Sequence, residues 1–143
     1  MKNYLPLAVL LVLHVIFLWL DLYKITHLDS VMHLAGGIAL AMCLYGVLAS
    51  AMDKGWCPDP GKLVSAVLVI SLVTTGAVCW EFYEWISDRV FGTVLQPSVN
   101  DTVKDLLLGL LGGVLYTGAN FVAHAPAYGL SRLRADVAGL FRC

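Results

Sequence analysis

The run LVSAVLVISLVTTGAVCWEFYEWISD, residues 63–88, decides what kind of protein this is. From Leu63 to Trp80 it carries no charged residue, and about 20 such residues are what a helix needs to cross roughly 30 Å of hydrocarbon. It then closes on Glu81, Glu84 and Asp88. At about 100° per residue these three acids fall within about 60° of one another, while Trp80 and Phe82 point elsewhere. Lipid offers no partner for backbone N–H and C=O groups, and the run is too long and continuous for a barrel strand, so a membrane-spanning helix is expected.

Three further runs can be drawn around it, giving spans at about 4–22, 30–52, 63–86 and 102–125. The expected fold is all-α: a polytopic membrane protein with a four-transmembrane-helix bundle in residues 1–125. Breakers separate the spans at Asp53-Lys54-Gly55, Pro58-Asp59-Pro60-Gly61, Gly92 and Pro97. The tail, 126–143, places Leu130, Leu133, Val137, Leu140 and Phe141 at spacings of three and four among Arg132, Arg134 and Arg142. That pattern predicts a short interfacial amphipathic helix. Lys2 ahead of the first run suggests a secretory signal, but no small-residue cleavage site follows Trp19-Leu20-Asp21, so an uncleaved anchor is expected.

Composition agrees with this class. Hydrophobic residues make up 59% of the 143, charged ones 13%, and the mean hydropathy is +0.81, far from a soluble globular domain. Such a chain has no room for a soluble catalytic domain, and no P-loop, dinucleotide fingerprint or nucleophile elbow appears. Nothing points to nucleic acid. Cys43, Cys57, Cys79 and Cys143 lack CxxC spacing, which argues against a disulfide or a thiolate metal site.

The basic residues set an expected orientation. Lys2, Lys54, Lys62, Arg132, Arg134 and Arg142 fall on one side of four crossings, and Lys24, Arg89 and Lys104 on the other. The positive-inside rule then places both termini in the cytoplasm of a bacterial inner membrane. Asp21, Asp29, Glu81, Glu84, Asp88, Asp101 and Asp105 all gather at the outer face. Three bases cannot neutralise seven acids.

Helical spacing sharpens the gathering. Asp29 and His33 lie one turn apart at the start of the second span, as do Asp101 and Asp105 at the start of the fourth. Gly36 continues the first of these stripes, and Gly109 with Gly112 the second, so close helix packing is expected just beneath the polar layer. Asp29 and Asp101 also read as helix N-caps, which stabilise by about 1 kcal/mol. His33, Glu81 and Asp105 lie deeper and need partners: basic side chains, shared protons or a bound cation. Asp29, His33, Glu81, Glu84, Asp88, Asp101 and Asp105 form the candidate metal set. Carboxylates with one imidazole suit Mg, Mn or Ca, or Zn or Fe in a mixed nitrogen and oxygen site.

Weaker signals remain. His14 and His124 each stand alone on an apolar surface, where hydrogen bonding to a neighbouring helix is the ordinary role and ligation of a haem or other pigment the alternative. Trp19, Trp80, Trp85 and Tyr83 read as an interfacial aromatic belt. Asp29-x6-Gly36-Gly37 echoes Asp105-x6-Gly112-Gly113, as a duplicated helical hairpin would.

The ordered motifs Asp29-x3-His33-x2-Gly36-Gly37, Trp80-Glu81-x2-Glu84 with Asp88, Gly92 and Gln96, and Asp101-Thr102-x2-Asp105 resemble the YjdF-like family of bacterial inner-membrane proteins, and more distantly the style of VanZ-like proteins. The resemblance covers the second to fourth spans, implies a chain shortened at its N-terminal side, and supplies no reaction. Three roles follow from the residues. One is an accessory subunit of a larger membrane assembly, contacting other membrane subunits and stabilised by a divalent cation. Another is a metal-dependent enzyme acting on a lipid or isoprenoid-phosphate head group, with Glu81 or Glu84 as general base. The last is a cation or proton carrier.

Overall fold

The computed structural model describes residues 4–25 and 27–123. His124 and the whole segment 126–143, with its expected amphipathic helix, lie outside the described residues. The chain forms α1 (Leu5–Trp19), a 3-10 turn η1 (Leu22–Lys24), α2 (Leu28–Asp53), α3 (Lys62–Phe91) and α4 (Val99–Ala123). Three of these helices, α2, α3 and α4, are long and apolar enough to cross a membrane.

The first helix departs from the sequence expectation. It holds 15 residues, about 22 Å at 1.5 Å per residue, which falls short of the hydrocarbon thickness. The expected span 4–22 is described as a shorter helix followed by a turn, and the described fold is three helices long and apolar enough to span with the shorter α1 beside them. Asp21 causes the stop. Its φ of 57° is left-handed, which ends the α-helix, and its carboxylate pairs with Lys24 across η1. His27, at φ 71°, makes the second corner that turns the chain into α2.

α2 and α3 extend a few residues beyond the expected spans at both ends, and α4 begins a few residues before its own. α3 continues to Phe91 because no breaker intervenes before Gly92, which takes the left-handed conformation at φ 68° and ends the helix.

α2 and α4 run parallel and form the closest helix pair. A Cβ on Gly37 would meet the carbonyl of Gly109, and one on Gly112 would meet the carbonyl of Leu34 and come within 3.0 Å of the Ile38 nitrogen. Backbone lies directly on backbone. Gly113 faces α3 instead, where a Cβ would sit 2.7 Å from Val73 Cγ1. Gly36, expected in this seam, has nothing within 4 Å of an added Cβ. The residue that fits the seam is its neighbour Gly37.

What lies inside is small or polar. Among the described residues the buried hydrophobics are Ala39, Ala41, Val69 and Val73, whereas His14, His33, Ser65, Glu81, Glu84, Ser87, Asp105 and Thr117 are all buried. Leu68, Leu72, Leu107 and Leu111 point outward. Water would penalise this arrangement; lipid does not, because tails are as apolar as leucine and helices associate through close contact and polar links.

The seam makes a direct test. Gly37→Ala should lower stability in detergent by about 1–3 kcal/mol through overpacking. Gly118→Ala, at an α4 position with open space around it, should instead stabilise by about 0.5–1 kcal/mol. Equal effects in denaturant titrations of the two variants would contradict a glycine-dependent contact.

Candidate metal centre

The α2–α4 seam fixes what lies above it. Asp29 stands in the first turn of α2 and Asp105 in the second turn of α4, and the parallel register brings both to the level of His33. Glu81 and Glu84 reach the same level from α3, one turn apart on its buried face. Asp29, His33 and Asp105 each offer a ligand atom within 4.8 Å of the others, and so do His33, Glu81 and Glu84. His33 is common to both sets.

The imidazole is the pivot. Nε2 lies 3.4 Å from Asp29 Oδ1 and 3.7 Å from Glu84 Oε1, and Nδ1 lies 3.8 Å from Glu81 Oε1. None of these is a hydrogen bond. His33 Nε2, Glu81 Oε1 and Asp105 Oδ1 are buried without a hydrogen-bond partner among the described residues, and Asp105 is only 1% exposed. Metal–ligand bonds of about 2.0–2.2 Å at tetrahedral or octahedral angles separate donor atoms by roughly 3.0–3.5 Å. The observed separations are close to that range.

A second layer holds the carboxylates in place. Gln96 Nε2 donates to Glu81 Oε2 at 2.8 Å, Trp80 Nε1 donates to Glu84 Oε1 at 2.9 Å, and Lys104 Nζ stands 3.6 Å from Asp105 Oδ1. Each leaves further acceptor capacity on its carboxylate. Lys104 is also the only described lysine or arginine ion-paired to the cluster. Lys24 pairs with Asp21, and Arg89 lies over the Trp85 ring at 5.5 Å. Of the three bases that can each take one carboxylate of that face, Lys24 and Lys104 form ion pairs among the described residues.

Asp88 and Asp101 fall outside both sets. Asp88 accepts from the Thr93 hydroxyl at 2.7 Å and from the backbone N–H groups of Leu95 and Gln96 at 2.8 and 3.0 Å. It ties down the loop that delivers Gln96 to Glu81. Asp101 pairs with Lys104 at 2.5 Å in the first turn of α4, where a negative charge suits the helix dipole.

Sequence reading missed a neighbouring pair. His14, expected alone on an apolar surface, is buried with Nδ1 2.5 Å from the Tyr23 hydroxyl. Its ring stands edge-on to Trp80 at 4.6 Å. Trp80 and Tyr83, read from the sequence as part of an interfacial belt, contact this histidine and each other. Burial pushes the Tyr23 hydroxyl up from its ordinary pKa, and the carboxylates of Asp29 and Glu84 add to the shift. Tyr23 stays protonated, and in the tautomer in which its hydroxyl donates to Nδ1 the His14 proton is on Nε2. No spacing rule links residues 14 and 23, because the η1 turn alone folds Tyr23 back onto α1.

The family described as predicted membrane protein (DUF2238) matches residues 4–126. The chain belongs to that family. This agrees with a YjdF-like assignment and carries no support for the VanZ likeness. No curated protein and no solved structure matches the chain.

The division of labour among the acids can be measured. Asp88→Ala should cost about 2 kcal/mol of stability, the loss of charge-assisted hydrogen bonds, and should open the 92–98 loop to proteases. Any loss of bound metal should be no larger than that caused by Gln96→Ala, because Asp88 reaches the cluster only through Gln96. Loss of metal with an intact loop would return Asp88 to the ligand set.

Proposed function

We propose that this membrane protein holds a divalent cation at the acidic end of its bundle, drawn from the donor pool Asp29, His33, Glu81, Glu84 and Asp105, and that the cation serves chemistry on a lipid head group. The observation that carries the reading is the set of buried, unpartnered acceptors around His33. A purely structural polar layer gains its stability by pairing its groups, because unpaired polar atoms in a low dielectric are expensive. Here both imidazole nitrogens face carboxylate oxygens at 3.4–3.8 Å without bonding to them. A divalent ion relieves both the like-charge repulsion and the missing bonds. One imidazole among carboxylates favours Zn, Mn or Fe over Mg or Ca.

Glu81 is the better-placed general base of the two glutamates. Its Oε1 is without a hydrogen bond while Gln96 steadies Oε2, whereas Glu84 Oε1 is engaged by the Trp80 indole. A metal-bound water or a head-group hydroxyl beside Oε1 would lose its proton to it.

A second reading, an accessory subunit, is supported by α1, whose 15 residues are short for a span and whose Val9, Val12 and Val15 face outward. The positive-inside argument places the acidic end outside and the α2–α3 connection in the cytoplasm of a bacterial inner membrane.

Elemental analysis of the purified protein should find about one divalent metal per chain, reduced at least tenfold by His33→Ala and by Asp105→Asn. Unchanged content in both variants would sink the metal reading. Extraction in mild detergent should give a particle of one small bundle, and a much larger native particle would favour the subunit reading. In a variant retaining Cys57 as sole cysteine, a membrane-impermeant maleimide should label intact spheroplasts only after permeabilisation. Prompt labelling would invert the orientation.

A further inference from the structure

Two adjacent glycines of α2 meet different surroundings. Gly37 is required by the backbone of α4, but Gly36 meets nothing within 4 Å of an added Cβ. Glycine inside a helix costs about 0.5–1 kcal/mol relative to alanine, and packing does not explain it here. Gly36 instead lines a cavity of about 100 Å³ between α1 and the other helices.

That cavity is amphipathic along its length. His14, Tyr23, Asp29 and His33 line its acidic end, on the same level as the carboxylate cluster. Further from that end, by roughly a turn or two of helix, Leu7, Leu10 and Leu11 of α1 face Leu40 and Val73. The polar wall also carries an unmet need. His14 is 5% exposed and its Nε2, which carries the proton when Tyr23 donates to Nδ1, has no hydrogen-bond partner among the described residues. A buried N–H without an acceptor is costly, and an oxygen entering the cavity that His14 lines would meet it.

Access is from the side. α1 rests on α2 and η1 and makes no backbone-level contact with α3 among the described residues. The gap is bridged only by side chains, His14 against Trp80 and Tyr83. What surrounds such a gap in a membrane is lipid.

We propose that this cavity binds a membrane amphiphile whose head presents an acceptor oxygen to His14 Nε2, beside the His33 centre, with the start of its hydrocarbon chain laid against Gly36 and the leucines of α1. A fatty-acid carboxylate and a phospholipid ester or phosphoryl oxygen share this chemistry. The inference goes beyond the metal reading and does not require the cation, so the two fail separately.

The test uses full-length protein in detergent with Trp19, Trp56 and Trp85, all more than half exposed, replaced by Phe so that only Trp80 on the cavity wall fluoresces. Dibromostearate and a phosphatidylethanolamine carrying dibrominated chains serve as quenching probes, with bromohexadecane as a control lacking a head-group oxygen. Saturable quenching at about one probe per chain is expected from at least one head-bearing probe, and the one that binds identifies the source. Gly36→Leu, whose Cβ has open space and whose longer side chain would enter the cavity, should weaken it at least tenfold while metal content and melting temperature hold. Gly36→Ala should weaken it less. His14→Phe, keeping the ring and removing the donor, should weaken it about tenfold, the worth of a buried hydrogen bond. Quenching that rises linearly with probe fraction, or that Gly36→Leu leaves intact, would overturn the cavity. Equal quenching by bromohexadecane would overturn head-group recognition. Metal-free protein with Gly36-dependent quenching would support the cavity while removing the cation; metal-loaded protein without quenching would do the reverse.

Discussion

The contact between the α2 and α4 backbones is what the rest of the molecule depends on. Gly37 against the Gly109 carbonyl and Gly112 against the Leu34 carbonyl leave no room for even a methyl group, so the two helices can meet in one register only. In that register position i of α2 stands beside position i+76 of α4: Asp29 with Asp105, His33 with Gly109, Gly37 with Gly113. The faint echo between Asp29-x6-Gly36-Gly37 and Asp105-x6-Gly112-Gly113 is thus a packing register. Its physical content is that both helices carry an acid two turns above a small residue at the same depth.

Close backbones in turn explain why the acids are buried. A larger seam residue would splay α2 from α4 and let lipid or water reach Asp105. With glycine there, Asp105 is sealed between helices and sits beside His33 rather than beside solvent. The same seam frees α3 to bring Glu81 and Glu84 in from the third side, through Val73 on Gly113. Three helices meeting through their smallest residues leave their acids no direction but inward.

Much of this was legible because helical periodicity is rigid over short distances. The spacings 29/33 and 81/84 place residues on one face whatever the tertiary structure, and the apolar runs are too long to mistake. What escaped was whatever depends on where the chain turns. α1 was read too long because Leu20 and Leu22 continue its apolar pattern, and nothing local announces that Asp21 adopts a left-handed conformation. The pairing of His14 with Tyr23 hangs on that same turn. Asp88 and Asp101 shared the cluster's spacing but lay nearer the helix ends, where free N–H groups and a lysine compete for a carboxylate. Periodicity gives the face of a helix, whereas the local partners, the 92–98 loop for Asp88 and Lys104 for Asp101, decide where each carboxylate turns.

His33 separates the competing accounts of the cluster. In a salt-bridged layer the imidazole would be protonated and each nitrogen would donate at about 2.7–2.9 Å to a carboxylate. Both nitrogens do face carboxylates, yet at 3.4–3.8 Å and without a hydrogen bond. Gln96 and Trp80 hold two of these carboxylates, Glu81 and Glu84, from behind, and Lys104 draws on the neighbouring Asp105. The outer partners therefore set the acids slightly apart. Outer partners of this kind orient the ligands in metal sites, and that is the support Gln96, Trp80 and Lys104 lend to the cation proposed above.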